Sequence, residues 1–370
     1  MVDKGLGAAG VIDADGHVFE PDELWERHLP KRWHDRRPRL VHDDRGTTRY
    51  LIGDRMIPPG TGVGAWVPRG VQEEACLRPG GTDPALRLED MDTEGIDVAV
   101  LYGTVSLGFY TTPDPELTAV ICRAYNDWLA EYCAHAPQRL KGVPSLPLAD
   151  TDAALAELRR CVEELGFVAL NLPVSILGRH PDDPCNDVFY ETAVDLDVPV
   201  SFHVGGAQFL NARFVDEYAM LHVLEFPFDL MYAATRLVCG GVLDRHPQLR
   251  VSFLEAGTGW LPYLFERLDE HYDKRTDEFT AIGRAPSEYL GDGRLWVSCE
   301  PSEQDLVHTC ERIGAELVLF ASDYPHWDAE YPESVSKIRD RPGLTAADRD
   351  AILGGNARRY LGAHLGAAVG

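Results

Sequence analysis

Carboxylates and imidazoles stand at the ends of several short apolar runs in the chain. Asp15 and His17 end the first run, His203 lies at the end of the fifth, and Asp323 directly follows the eighth. Residues two apart in an extended chain point to the same side, so Asp15 and His17 face one point together. If the ends of the runs meet in space, two imidazoles and two carboxylates form a ligand shell for one divalent cation, with a position left for water.

A structural interpretation competes with this one for each residue taken alone. A lone histidine in a strand is commonly a hydrogen-bonded core residue, and an aspartate after a strand commonly caps the next helix. Neither role explains why four side chains that can bind a metal stand at the carboxyl ends of the first, fifth and eighth runs. The set as a whole therefore favours a metal site.

The apolar runs are predicted β-strands. They are short and mostly continuous rather than alternating in polarity, as expected for strands that are buried on both faces. In chain order they are Val11–His17, Ile96–Tyr102, Gly142–Leu146, Phe167–Leu172, Val198–Val204, Arg250–Glu255, Leu295–Cys299 and Leu317–Ser322.

Amphipathic helical patterns separate these strands. Pro115–His135 begins with a proline, and Asp150 supplies an N-cap for Ala153–Leu165. Repeated alternation of strand and helix predicts an α/β fold, a (β/α)8 TIM barrel in a single domain that spans residues 1–370. An open, doubly wound sheet is the alternative, although such sheets usually stop at about five to seven strands. Further helices are predicted at Asp187–Asp195, Phe228–His246, Leu261–Tyr272, Gln304–Ile313 and Ala346–Leu361.

Three segments are longer than the connections that a simple strand–helix repeat needs. They are Phe19–Pro84, Gly205–Pro227 and Asp273–Asp292. Barrel enzymes build their substrate pockets from such long loops and insertions at the carboxyl ends of strands. The first segment is predicted to be an inserted cap after the first strand. A disordered linker is the alternative, but the aromatic content of the segment favours an ordered cap.

The chain is strongly acidic, with a formal net charge of −25 over 370 residues. Such a field repels phosphate backbones and anionic membranes, so we expect no nucleic-acid or membrane partner. The sequence shows neither a signal-peptide pattern nor an apolar stretch long enough to span a membrane. Its eight cysteines lack C-x-x-C spacing, which is typical of reduced thiols in a cytoplasmic protein.

Several motifs resemble a known enzyme family. Asp15–His17 and Phe320–His326 are similar to motifs of the amidohydrolase superfamily. His246–Arg250, Gly259–Pro262 and Gly355–Tyr360 are similar to the amidohydrolase-related branch that includes aminocarboxymuconate semialdehyde decarboxylase. These motifs extend over nearly the whole chain.

The resemblance implies a single divalent metal ion, Zn or Mn. The implied ligands are Asp15, His17, His203 and Asp323. Family members usually begin with His-x-His on the first strand, whereas this chain has Asp15 at the first of these positions. Dinuclear members bridge two metals with a carboxylated lysine on the fourth strand, and Phe167–Leu172 contains no lysine.

The resemblance implies that Asp323, Glu255 and His203 are the catalytic residues. Mononuclear relatives commonly have a histidine where this chain has Glu255 on the sixth strand. Glu255 can act as a general acid or base if burial raises its pKa; alternatively it completes a hydrogen-bond network or reaches the metal. His326 and Tyr102 are candidate substrate-binding residues, although His326 is equally compatible with an ordinary loop role.

Three functions are compatible with these residues. The first is a metal-dependent hydrolase of a small organic substrate that uses a metal-activated water. The alternative is a nonoxidative, metal-dependent decarboxylase of a small aromatic or unsaturated carboxylic acid. The third, a non-catalytic ligand-binding barrel, is disfavoured because the whole candidate ligand set is present. The resemblance also implies a homodimer.

Overall fold

Eight parallel strands form the centre of the structure, and each overlaps a strand that the sequence predicts. The computed structural model describes residues 10–42, 48–57, 78–203 and 218–366. Nearly all residues of these strands are buried, which explains their continuous apolar character. In chain order the strands are Ile12–Val18, Val98–Gly103, Leu140–Gly142, Leu170–Leu172, Val200–His203, Val251–Leu254, Leu295–Cys299 and Val318–Phe320.

The third strand lies earlier in the chain than predicted. It spans Leu140–Gly142, whereas the sequence predicts Gly142–Leu146. Pro144 has no N–H group to donate to a neighbouring strand, so the chain leaves the sheet before it. The residues that follow form a loop at the carboxyl end of the strand.

The strands form two parallel sheets that are hydrogen-bonded to each other. The first three strands form one sheet and the last five form the other, with each strand beside its neighbour in the chain. At one junction, Asp323 N–H donates to Asp15 O (3.0 Å) and His17 N–H donates to Tyr324 O (2.7 Å). At the other junction, a backbone hydrogen bond of 3.1 Å joins the third strand to the residues before the fourth. The chain is therefore a mixed α/β protein in which the first strand lies beside the end of the last.

Side chains from both sheets share one interior cluster. Ile12, Val100, Trp296 and Leu319 are buried in it together. The C-terminal helix contributes Tyr360, whose ring centroid lies 5.4 Å from that of Trp296. Two further apolar clusters pack the outer faces of the strands against helices.

Helices alternate with the strands, as predicted. Asp83, Asp114 and Asp150 each accept hydrogen bonds from first-turn amides, and a proline opens two of these three helices. The helices are Asp22–His28, Pro84–Glu94, Pro115–Cys133, Thr151–Glu163, Asp187–Asp195, Tyr218–Cys239, Val242–Arg245, Trp260–Lys274, Leu306–Ile313, Ser334–Arg339, Ala346–Asp350 and Asn356–Leu361. A π-helical turn, Ala351–Gly355, joins the last two and interrupts the predicted helix Ala346–Leu361.

The predicted bounds of one long helix are wrong. The sequence predicts Phe228–His246, but the helix begins at Tyr218 and ends at Cys239. Pro227 lies inside this helix, one residue before the predicted start. Gly241, with φ of 73°, separates the helix from the short Val242–Arg245 helix, because that backbone conformation favours glycine.

The segment after the first strand contains regular elements wherever the structure describes it, which argues against a disordered linker there. Trp25 is buried, and its ring centroid lies 5.8 Å from that of Phe109. Residues 43–47 and 58–77 lie outside the described residues. Besides the helix Asp22–His28, the elements are the 3-10 helix Lys31–Arg36 and an antiparallel sheet of Arg39–His42, Thr48–Ile52 and Arg55–Ile57.

The structure describes the other two long segments to different extents. Most of Gly205–Pro227 lies outside the described residues, and from residue 218 onward it is helical. Asp273–Asp292 contains the 3-10 helices Thr276–Glu278 and Pro286–Asp292. No helix within the described parts of the chain has the length and apolar character to cross a membrane. The seven cysteines that the structure describes are free thiols.

Gly16 is required by a close approach between the first strand and its neighbours. A Cβ atom at this position would lie 2.6 Å from Arg87 Nη2 and 2.8 Å from Asp13 Oδ2. We expect Gly16→Ala to lower the free energy of unfolding by about 1–3 kcal/mol, because these buried groups must shift. Chemical denaturation measures the effect. Gly283→Ala is the control, since its Cβ would meet no described atom within 4 Å. Equal stability of the two variants would contradict the prediction.

Candidate metal centre and active site

Asp15, His17, His203 and Asp323 converge at the carboxyl ends of the parallel strands. His203 Nε2 lies 3.1 Å from Asp15 Oδ1 and 3.1 Å from His17 Nε2. Asp323 Oδ1 lies 3.4 Å from His17 Nε2. All four residues are buried. The structure thus brings together the four residues that the sequence analysis names as candidate metal ligands.

The hydrogen bonding of His17 directs a lone pair to the centre of this group. His17 Nδ1 lies 3.0 Å from Gly103 O, a carbonyl that can only accept, so Nδ1 carries the proton. Burial lowers the pKa of His17, so the ring is neutral and Nε2 keeps its lone pair. That lone pair faces carboxylate oxygens of Asp15 at 3.5 Å and Asp323 at 3.4 Å. Electron-pair donors that converge in this way fit a divalent cation, and a carbonyl behind the imidazole is usual for a metal-binding histidine.

His326 belongs to the same group of side chains. Its ring stacks on that of His17 with centroids 3.9 Å apart, and its Nδ1 lies 2.7 Å from Asp323 Oδ1. On the other side, its Nε2 lies 3.0 Å from Thr104 Oγ1, and this hydroxyl donates to Val18 O. Burial lowers the pKa of His326 to about 3, so the ring is neutral. His326 therefore lies beside the candidate metal ligands, and its contact with a substrate stays a prediction.

Glu255 directly follows the sixth strand and approaches His203 from the side opposite Asp15. Its Oε2 lies 3.4 Å from His203 Nδ1, and its Oε1 lies 3.7 Å from His222 Nε2. Burial raises the pKa of Glu255, and the two imidazoles oppose that rise. Glu255 and Asp323 have φ values of 67° and 52°, which residues other than glycine rarely adopt. Backbone strain of this kind is concentrated at functional sites.

The sequence analysis missed two carboxyl groups beside Glu255. Glu300 directly follows the seventh strand, so the strand-end pattern that identified His203 would also have found it. Burial raises the pKa of Glu300 to about 8, and the nearby Asp328 and Glu255 add to the rise. Asp328 Oδ2 lies 3.8 Å from His222 Nε2, and no sequence signal singles it out. This many carboxyl groups around one point favours a bound cation.

Tyr102 lies against the imidazoles of the group. Its ring centroid is 5.0 Å from that of His203 and 6.1 Å from that of His17. The residue is 1% exposed and its pKa is raised by burial, so its hydroxyl is a neutral phenol. Tyr102 is therefore close enough to take part in the site, and its contact with a substrate stays a prediction.

A buried polar network fixes the first strand against the residues that follow the eighth. Asp13 accepts hydrogen bonds from the Ser322 N–H (2.9 Å) and the Ser322 hydroxyl (2.6 Å). Arg87 Nη1 donates to His17 O (2.8 Å), and Arg87 Nη2 lies 4.0 Å from Asp13 Oδ2. The network therefore positions ligands from the two ends of the chain relative to each other. Arg87 was missed because it lies on Pro84–Glu94, a helix that the sequence analysis did not predict.

Comparison with known proteins supports the family resemblance that the sequence motifs indicate. A family model described as amidohydrolase matches residues 12–363. The chain belongs to the amidohydrolase family. This confirms the resemblance seen in the sequence, and it makes the chain an enzyme of the hydrolase or carboxy-lyase type.

Curated relatives align with about three quarters of this amidohydrolase. It is 27% identical to 2-amino-3-carboxymuconate-6-semialdehyde decarboxylase of Dictyostelium discoideum, over 76% of this chain and 77% of the relative. It is 30% identical to gamma-resorcylate decarboxylase of Rhizobium sp. (strain MTP-10005), over 74% of this chain and 86% of the relative. It is 33% identical to 2-keto-4-carboxy-3-hexenedioate hydratase of Sphingobium sp. (strain NBRC 103272 / SYK-6), over 76% of this chain and 82% of the relative.

A solved structure shows the same fold. It is a dihydroxybenzoic acid decarboxylase from Polaromonas sp. JS666 with bound manganese and the inhibitor 2-nitroresorcinol. The two chains superpose with a TM-score of 0.69 at 24% identity, over 96% of this chain and 97% of the other. The fold of this amidohydrolase is thus one that other family members share.

The network around Asp13 predicts an effect of Arg87 on metal binding. We expect Arg87→Lys to weaken the binding of Mn²⁺ about tenfold, because outer contacts hold ligands in place and lysine cannot reproduce the guanidinium geometry. Isothermal titration calorimetry with added Mn²⁺ measures the change. Arg294→Lys is a matched control, because Arg294 also donates to a backbone carbonyl, Leu243 O (3.0 Å). An Arg87→Lys affinity equal to that of the control would show that the network does not position the ligands.

Proposed function

We propose that this amidohydrolase is a metal-dependent, nonoxidative decarboxylase of a small aromatic or unsaturated carboxylic acid. The observation that carries the proposal is that curated relatives aligned over about three quarters of the chain are named as decarboxylases of such acids. Hydrolysis, the first expectation from the sequence, is supported only by membership of the family as a whole. The decarboxylase alternative is therefore the better supported of the two.

The proposed architecture is a (β/α)8 barrel in one domain, with residues 19–84 as a cap after the first strand. Two observations support it. Backbone hydrogen bonds join the two sheets at both of their junctions, and side chains from both sheets share one interior cluster. Catalytic groups of such barrels stand at the carboxyl ends of the strands, where this chain places its candidate ligands. A homodimer stays a prediction from the resemblance.

The proposed ligands of one divalent ion, Mn²⁺ or Zn²⁺, are Asp15, His17, His203 and Asp323. When bound, such an ion would neutralise the substrate carboxylate and a neighbouring oxygen and hold both in place. The protein contributes the orientation of the ligands. Gly103 O fixes the ring of His17, and His326 packs against Asp323 with its Nδ1 2.7 Å from Asp323 Oδ1.

Glu255 is the proposed proton-handling residue. It is buried beside His203, and His222, 3.7 Å away with its side chain 19% exposed, gives it a route to solvent. The ring carbon that bears the carboxyl group takes a proton from Glu255. The bond between that carbon and the carboxyl carbon then breaks, its electron pair returns to the ring, and CO2 leaves. His222 passes a proton from solvent back to Glu255.

Release of CO2 tests this function. We expect the Mn²⁺-loaded protein to convert at least one hydroxybenzoate, such as 2,6-dihydroxybenzoate, to CO2 and the matching phenol in equal amounts. Glu255→Gln should lower kcat about 100-fold or more, because general acid catalysis contributes at least that factor, and should retain the metal. Glu94→Gln is the control, since Glu94 is a carboxylate whose partner is Ser334.

The products separate the alternatives. Absence of CO2 from every aromatic and unsaturated acid tested would overturn the decarboxylase proposal. Loss of a substrate double bond without CO2 would instead indicate water addition, the reaction type in the name of the Sphingobium relative. Cleavage of amides or esters would restore the hydrolase interpretation.

Metal content tests the proposed ligands separately. We expect plasma mass spectrometry to find about one Mn or Zn per chain after loading, and little in a His203→Ala, Asp323→Asn double variant, because both substitutions remove a ligand. His364→Ala is the control, since this histidine is partly buried and contacts Leu196 O (2.9 Å). A wild-type protein that takes up neither added Mn²⁺ nor added Zn²⁺ would contradict the proposed centre.

A further inference from the structure

A buried carboxylate joins the segments that follow the first two strands. The parallel pairing of these strands ends at Val18 and Gly103. Two residues after Val18, Glu20 is buried, and its carboxylate accepts hydrogen bonds from the Val105 N–H (3.0 Å) and the Ser106 N–H (2.9 Å). The carboxylate therefore continues the contact between the two segments beyond the end of the sheet.

The loop that Glu20 holds contacts two imidazoles of the candidate metal centre. Gly103 O accepts a hydrogen bond from His17 Nδ1 (3.0 Å). Thr104 Oγ1 lies 3.0 Å from His326 Nε2. Hydrogen bonds behind a metal-binding histidine fix the orientation of its ring and affect how well it binds the metal. The position of residues 103–106 therefore determines where the His17 ring points.

Glu20 and this loop are packed too closely to move independently. A Cβ atom at Gly103 would lie 2.5 Å from Glu20 Oε1. Val105 and Ser106 begin the 3-10 helix Ser106–Thr111, and the first N–H groups of a helix have no acceptor within it. Without the carboxylate these two amides would lose their acceptor, and the loop would have to shift to reach water or another oxygen.

We propose that Glu20 is a positioning residue for the metal centre, which acts on the His17 ring through the backbone of residues 103–106. The inference rests on the ligands named in the proposed function. Charge alone is the alternative explanation, because a carboxylate near the centre attracts a cation wherever its hydrogen bonds go. The two explanations differ in what a shorter carboxylate should do.

Isothermal titration calorimetry with added Mn²⁺ separates position from charge. We expect Glu20→Gln to weaken Mn²⁺ binding about tenfold, because a glutamine amide has one acceptor oxygen and its NH2 group would face a backbone N–H. Glu20→Asp keeps the charge but is one methylene shorter, so it should weaken binding by a similar factor. Glu94→Gln is the control, since Glu94 also accepts from a backbone N–H, that of Ser334 (3.2 Å), and should leave the affinity unchanged.

Proton exchange tests the route through His17. In the Co²⁺-loaded protein, ring N–H protons of metal-bound histidines are shifted away from other proton signals, so their exchange with water can be followed by NMR. We expect Glu20→Gln to speed exchange of the His17 Nδ1 proton about tenfold, because a displaced loop releases it from Gly103 O. The His203 Nδ1 proton, which faces Glu255 Oε2 at 3.4 Å, should exchange as in wild type. Its signal is identified by its change in Glu255→Gln.

Several results would overturn the proposal. An Mn²⁺ affinity of Glu20→Gln equal to that of Glu94→Gln would show that the carboxylate does not affect the centre. Weaker binding in Glu20→Gln but not in Glu20→Asp would assign the effect to charge. Equally faster exchange at both histidines would indicate general loosening. Glu20→Asp alone decides between position and charge if Glu20→Gln does not fold. A wild-type protein that binds no Mn²⁺ would contradict the metal centre itself, and this inference with it.

Discussion

The site depends on how closely the first strand is held against the residues that follow the eighth. Asp15 and His17 come from one end of the chain and Asp323 from the other, and Asp13 and Ser322, which join these ends, are 309 residues apart in sequence. A metal site tolerates ligand displacements of only about 0.2 Å, so this junction must be rigid. Backbone hydrogen bonds and the buried Asp13 carboxylate supply that rigidity.

The carboxyl groups at the site impose a second constraint. Burial raises the pKa of Asp323, Glu255 and Glu300, since ionised carboxylates are costly in a low-dielectric interior. A divalent cation offsets that cost more directly than protons do, because it attracts several carboxylates at once. Metal binding to such a site displaces protons and therefore depends on pH. A cation held by these carboxylates would supply the local positive charge that the proposed anionic substrate requires in an acidic protein.

The two sides of the proposed centre differ in chemistry. On one side Glu255, Glu300 and Asp328 surround His222, which is partly exposed and can exchange protons with solvent. On the other side of His203, a small cavity is lined by polar and apolar side chains, with no lysine, arginine or carboxylate among the described lining residues. Proton transfer is therefore proposed for the Glu255 side of His203.

Local sequence patterns determined the order and type of the elements. Continuous apolar runs and aspartate caps act over a few residues, so they identified the eight parallel strands and most helices, and the strand ends identified Asp15, His17, His203, Asp323 and Glu255. The same patterns failed at Pro227, where a helix continues through a proline, and at the third strand, where the prediction extended past Pro144 although proline cannot donate to a neighbouring strand. Only the tertiary structure showed that Arg87 and Asp328 belong to the site, whereas the position of Glu300 at the end of the seventh strand is visible in the sequence. Their roles depend on distances between residues far apart in the chain, and burial, electrostatic coupling and cavity shape arise only once those residues are packed together.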